Sequence, residues 1–262
     1  DPQTLWLPFT VGAARRLDRG TTRLRDWLAR RFDRRRPMRH EVETNLDVVR
    51  PLLPRPVDCA AARVEVNVPQ AARESIARRL ADVGISEEEP IVTLHPGAAW
   101  RPRAWAPERF AAIADWIGAH YDARIVFVGS EGERDVEAAV RSHARGSVVS
   151  WFGALSIAEV AALLQRSRLL VGNDSGIAHL AAACGTSAVA LFGPQDPRRF
   201  APWAPPGKVQ ALHHPVSCFP CAQVTCVRPE RPCVNLIEIA EVTAAVRALL
   251  GPAAAVVTSG RG

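Results

Sequence analysis

From Ile91 onward, short apolar runs alternate with longer amphipathic, alanine-rich segments. Ile91–Leu94 reads as a buried strand, and Pro107–His120 as a helix opened by proline in its first turn. Phe110, Ile113, Ala114 and Ile117 fall on one face of that helix. The pairing repeats through strands at Arg124–Val128, Ser147–Ser150 and Leu169–Gly172 and helices at Glu133–Arg145, Ser156–Gln165 and Ser175–Cys184. A strand at Ala188–Phe192, a long loop at Pro194–Gly207, a short strand at Val209–Leu212 and an amphipathic helix at Ile237–Leu250 complete the series. Strands alternating with helices of this length predict an α/β fold, a parallel sheet covered on both faces. Ligands of such sheets lie beyond the carboxyl ends of the strands. The informative loops are therefore those after Leu94, Val128, Ser150, Gly172 and Phe192.

The remaining segments lack this rhythm. Asp1–Arg50 reads as mostly helical but carries too little periodic apolar surface for a domain of its own. Pro51–Pro69 reads as a proline-rich linker, and the final dozen residues as a disordered tail. The longest apolar stretch, Ile177–Phe192, contains His179, Gly185, Thr186 and Ser187. A helix, a turn and a strand account for it better than a membrane span, so a soluble protein is expected.

Composition adds three points. A length of 262 residues allows one large domain or two small ones. The formal charge of +6 is concentrated: ten arginines lie between Arg15 and Arg36 against Asp18, Asp26 and Asp33. Such a block suits anionic lipid headgroups or an anionic substrate, and equally a solvated helix face. No interleaved aromatics or nucleic-acid motif accompany it, so nucleic acid is not expected as a partner. Lys208 is the sole lysine, so a cationic role usually filled by lysine falls here to arginine. Asp1 is not an initiator residue and Met38 is the sole methionine, which reads as a processed chain or a fragment of a longer one.

Candidate chemistry gathers at the strand ends. After Leu169-Leu170-Val171-Gly172-Asn173, the apolar run stops at Asp174-Ser175-Gly176 and a small-residue helix begins, with His179 looking buried one turn in. Unpaired N–H groups and the positive helix end would collect there and bind phosphate without a metal. The loop His95-Pro96-Gly97-Ala98-Ala99, followed by Arg101, Arg103 and Trp105, lets backbone approach a ligand and supplies cations; it reads equally as an ordinary strand-to-helix connection. Gly129-Ser130-Glu131-Gly132-Glu133 offers carboxylates for ribose hydroxyls or for compensating a helix start. His179 suits either a hydrogen-bonded core role or support of the phosphate turn. Cys218-x2-Cys221-x4-Cys226-x6-Cys233 has spacing that suits a structural metal or reduced thiols packing an irregular loop; Cys59 and Cys184 read as structural.

Three motifs in order, Leu94-His95-Pro96-Gly97-Ala98-Ala99 with Arg103-Ala104-Trp105, Gly172-Asn173-Asp174-Ser175-Gly176-Ile177-Ala178-His179, and Ala190-Leu191-Phe192-Gly193-Pro194-Gln195-Asp196-Pro197, resemble glycosyltransferase family 9, the ADP-heptose:lipopolysaccharide heptosyltransferases. The likeness runs from roughly His40 to Leu250, and the cysteine loop resembles that of the heptosyltransferase II branch. It implies a GT-B architecture, with 57–236 as a complete Rossmann-like donor lobe. Residues 1–56 would be a remnant of the amino-terminal acceptor lobe, and 237–262 a closing helix and tail. It further implies that Asp174 meets donor sugar hydroxyls and that Ser175 and Gly176 hold the diphosphate, supported by His179. Glu133 would contact the ribose, Leu155 lie beside the adenine, Arg103 contact the diphosphate, and Ala98 and Ala99 belong to the substrate-binding loop. The family usually has lysine where this chain has Arg103. Its catalytic aspartate lies in an early loop of the amino-terminal lobe, to which nothing here corresponds.

The implied partners are a nucleotide-sugar donor, ADP-heptose, and a glycolipid acceptor at the inner membrane surface. The implied protein is a cytoplasmic monomer, peripheral on that membrane, with no cofactor and an inverting, metal-independent reaction. Another nucleotide sugar, or a non-catalytic nucleotide-sugar-binding module, are the alternatives.

Overall fold

The structure, a computed structural model, describes residues 38–55, 57–219, 221 and 226–252. The expectations for the helical start, the arginine block and the carboxyl-terminal tail fall largely or wholly outside them. The described residues form two compact units, one of residues 38–62 with Arg198–Phe200, the other of the remainder. In the first, helix α1 (Glu41–Val49) is opened by His40, whose Nδ1 accepts the Val42 N–H at 3.1 Å while Glu43 returns to the His40 N–H at 3.2 Å. That reciprocal cap satisfies two of the helix's orphan donors.

The second unit carries the sheet. Its strands β1 (Ile91–His95), β2 (Arg124–Gly129), β3 (Val148–Phe152), β4 (Leu169–Asn173), β5 (Ser187–Phe192) and β6 (Val209–His213) are all parallel, in the order β3-β2-β1-β4-β5-β6. The order reverses between β1 and β4, where His95 pairs with Gly172. A crevice opens at such a reversal, because the connections leave the two central strands in opposite directions.

The helices are α2 (Gln70–Asp82), α3 (Pro107–Tyr121), α4 (Arg134–His143), α5 (Ile157–Arg166), α6 (Gly176–Ala183) and α8 (Ile239–Leu250), with a single turn, α7, at Pro197–Phe200. The side-chain period of two divides the sheet between two cores. Val92, Leu94, Ile125 and Phe127 join one with Phe110, Ile113 and Ile117 of α3 and Val242 and Val246 of α8. Ile91, Val126 and Val128 join the other with Ile76 and Leu80 of α2 and Leu163 of α5. Both faces are covered, which is why the strands read as unbroken apolar runs. Each fully buried large aliphatic side chain contributes roughly 1.5–3 kcal/mol.

Three differences from the sequence pattern stand out. α2 has no counterpart in it, because only Ala72, Ile76 and Leu80 are buried in a helix otherwise rich in charge. β3 continues to Phe152, where Trp151 and Phe152 are its most buried residues. The loop Pro194–Gly207 contains the turn α7.

Candidate functional site

Asn173, the last residue of β4, is fully buried and joins both halves of the crevice. Its Nδ2 donates to the carbonyls of Pro96 (2.8 Å) and Gly97 (3.2 Å), and its Oδ1 accepts the Trp105 N–H at 3.0 Å. Trp105 in turn is anchored by its Nε1–H on the Ile237 carbonyl at 2.9 Å and by an edge contact with Phe110. The loop from Pro96 to Trp105, which carries Arg103, is thereby fixed against the end of β4.

The next residue behaves in the opposite way. The Asp174 N–H donates to the Leu191 carbonyl at 2.9 Å, which directs the side chain inward, where it is 5% exposed. Its Oδ2 lies 3.4 Å from Arg103 Nη1, an ion-pair distance, yet makes no hydrogen bond; Arg103 Nε and Ser175 Oγ are also buried without partners. Burial pushes the Asp174 pKa up, and Arg103 opposes that only in part. Buried polar atoms without a hydrogen bond normally cost about 1–3 kcal/mol each, so these three leave hydrogen-bonding capacity at this strand end unused.

Beside them α6 begins at Gly176 with Ser175 as an extended N-cap (φ −151°, ψ 167°) that makes no side-chain cap bond. Its first N–H groups and its positive end are left open. Adjacent is a cavity of about 720 Å³, whose wall includes Ala99, Glu133, Leu155, Ser175, Gly176 and His179. The structure thus brings six of the expected residues onto one cavity. Ala98, Arg103 and Asp174 are not part of its wall, although the last two face each other next to Ser175. Val64, Ile157, Val160 and Leu180 make another part of that wall apolar.

Several residues depart from expectation. His179, which looks buried in the sequence, is exposed and faces the cavity, because α6 turns its small residues Ala178, Ala181 and Ala182 to the core instead. Glu133 closes a helix start, as one of its two readings has it: Oε2 accepts from the Ser130 N–H (2.7 Å) and Oγ (2.8 Å), capping the turn before α4, and the residue also lines the cavity. The carboxylate lies over Gly97, so a Cβ there would displace it from its present position. Asn173 and His95 carry no signal that composition or spacing could single out, since their partners lie far away in sequence. His95 Nδ1 is 3.0 Å from the Val128 carbonyl, and burial pushes its pKa down against the opposing pull of that carbonyl and Glu133.

The cysteines of the last loop, Cys218, Cys221, Cys226 and Cys233, border one small cavity with Phe219 and Pro194. All six cysteines are free thiols, and among the described residues no group of three or more His, Cys, Asp or Glu side chains is set to hold a metal ion. Burial raises the Cys184 thiol to about 11, in keeping with a structural role. Among the described residues no helix is long and apolar enough to cross a membrane.

Residues 8–230 match glycosyltransferase family 9 (heptosyltransferase). The chain belongs to this family. It is 30% identical to lipopolysaccharide heptosyltransferase 3 of Escherichia coli over 167 residues, which are 62% of this chain and 47% of that protein. It is 29% identical to lipopolysaccharide heptosyltransferase 2 of Salmonella typhimurium over 121 residues, 44% of this chain and 34% of that one. The chain therefore spans less than half the length of these family 9 relatives. Among solved structures it resembles the family 9 glycosyltransferase of Veillonella parvula, with a TM-score of 0.70 at 22% identity over 86% of this chain and 65% of that one. It also resembles the ADP-heptose lps heptosyltransferase II of E. coli, with a TM-score of 0.59 at 20% identity over 76% of this chain and 55% of that one. The six-stranded parallel sheet is the fold that these GT-B enzymes of family 9 share with it.

Proposed function

We propose that this chain supplies the donor-binding part of an enzyme that moves a heptose from ADP-heptose to a lipopolysaccharide core acceptor. The observation that carries this reading is the trio of buried atoms without a hydrogen bond on Arg103, Asp174 and Ser175 at the open start of α6. A diphosphate satisfies the α6 N–H groups, the Ser175 hydroxyl and the Arg103 guanidinium together. Asp174 accepts hydrogen bonds from the donor sugar's hydroxyls. Ala98 and Ala99 let the backbone approach, and His179 supports the turn from the cavity side. Glu133 faces the ribose, and the apolar wall at Leu155 takes the base.

The reaction is inverting and metal-independent. An acceptor hydroxyl attacks the anomeric carbon, the bond to the diphosphate breaks, and negative charge grows on the leaving oxygen beside Arg103 and α6. Interactions that strengthen as charge develops lower the barrier, and losing one typically costs ~2–4 kcal/mol. The base that takes the acceptor proton is assigned to no residue described above. The acceptor is a glycolipid at the inner membrane surface, which the enzyme meets from the cytoplasm as a monomer.

A diphosphate site cannot by itself read the base, so transfer from another nucleotide sugar is the second reading, favoured by the same three atoms. Calorimetric titration with ADP-heptose, a UDP-sugar and a GDP-sugar separates the two. ADP-heptose binding tightest supports the proposal; a UDP- or GDP-sugar binding more tightly overturns the heptose assignment.

A further inference from the structure

His95 ends β1 at the point where the sheet order reverses, and the residue, only 6% exposed, forms part of the cavity wall. Gly172, its register partner on β4, brings backbone so close that an added Cβ would sit 3.4 Å from His95 Cβ. The imidazole Nδ1 lies 3.0 Å from the Val128 carbonyl oxygen. A carbonyl can only accept, so Nδ1 carries the proton and donates. In the neutral ring this leaves Nε2 as a lone-pair acceptor. No hydrogen bond of Nε2 is seen among the described residues, and His95 is one of the residues that line the cavity.

A fixed acceptor selects hydrogen-bond donors. Phosphate oxygens at neutral pH are acceptors and are refused; hydroxyls are accepted. The α6 start, which takes the phosphates, begins four residues beyond Gly172, the register partner of His95. The group of a nucleotide that adjoins its phosphates is the ribose. We propose that His95 is a ligand-contacting residue whose Nε2 accepts a hydrogen bond from a ribose hydroxyl of the bound nucleotide. This rests on the nucleotide-site reading given above. Glu133, on the same wall, meets the ribose from the side of Gly97.

The test is calorimetric binding of ADP, 2′-deoxy-ADP, 3′-deoxy-ADP and inosine diphosphate to the full chain and to His95→Asn and His95→Gln. The asparagine amide keeps an N–H for the Val128 carbonyl and removes the acceptor at Nε2, whereas the glutamine oxygen reaches towards it. One of the two deoxy nucleotides should bind the natural chain about five- to tenfold more weakly than ADP, the effect of one hydrogen bond. His95→Asn should lose that preference, and His95→Gln should keep part of it. A purely structural role for His95 would weaken all four nucleotides alike and leave the preference intact, which overturns the proposal. Both deoxy nucleotides binding the natural chain as well as ADP overturns it without any variant. So does a preference lost only for inosine diphosphate, which would put the contact at the base amine. Failure of the natural chain to bind any of the four defeats the nucleotide-site reading together with this one.

Discussion

Two helices on this sheet start with serine, and they start differently. At α5, Ser156 and Glu159 cap each other: the Glu159 carboxylate accepts from the Ser156 N–H and Oγ, both at 2.8 Å, and Ser75 Oγ of α2 donates to it at 2.7 Å. With Ser75 first among the causes, then the backbone and hydroxyl of Ser156, the Glu159 pKa is drawn down to about 2. At α6, Ser175 caps nothing, and the fourth residue of the same frame is Ala178, which is buried in the core. Asp174 beside it is pushed up instead of down. One start is closed by its own chain and stabilises the fold. The other is left open at a cost in stability, which accords with the proposal that a ligand completes it.

This contrast can be broken from either side. The largest effect is expected from Asn173→Ala, which strands the Trp105 N–H and the Pro96 and Gly97 carbonyls in a fully buried position. Stability should fall by about 3 kcal/mol or more in a denaturant melt, with nucleotide affinity lost as the Arg103 loop loosens. Arg103→Ala should instead spare the melt and weaken ADP binding by roughly 10–100-fold in a calorimetric titration, as expected for a charged hydrogen bond. An unchanged affinity would separate Arg103 from the diphosphate.

At the closed start, Glu159→Gln should cost about 1–2 kcal/mol at neutral pH and leave ADP affinity unchanged. Its pH dependence is signed. The folded pKa of Glu159 is depressed, so its contribution is present above the unfolded value near 4.5 and is lost as pH falls towards about 2. The variant should show a flatter acid limb in a pH series of melts. The smallest effect belongs to Asp174→Asn. The folded pKa of Asp174 is raised, so its contribution to stability is complete below the unfolded carboxylate value and declines as pH rises through the folded one. Removing the charge should raise neutral-pH stability by up to about 1 kcal/mol while weakening ADP-heptose binding. A loss of stability would show that Arg103 already satisfies Asp174.

What the sequence makes legible follows the range of the interactions involved. The strands show as apolar runs because both faces of the sheet are buried, and the Asp174-Ser175-Gly176 turn shows because strand end and helix start are contiguous. The closed start is legible too, since Ser156 and Glu159 sit three residues apart. α2 is hidden because three modest apolar residues, Ala72, Ile76 and Leu80, hold a charged helix. Asn173 and His95 are hidden because their hydrogen bonds cross 68 to 77 and 33 residues respectively, and no local pattern reports a partner so distant. His179 is misread because the buried residues of α6 are its alanines Ala178, Ala181 and Ala182, which turn the imidazole away from the core.

The central claim is that the open start of α6 is completed by a diphosphate. Amide chemical shifts recorded while inorganic pyrophosphate is added test it without help from a base or sugar. Large shifts are predicted for the Gly176 and Ile177 amides, saturating together with the Arg103 side-chain Nε–H, while Ile157 and Ala158 at the closed start of α5 stay in place. Equal movement at both helix starts, or none at Gly176, would contradict it.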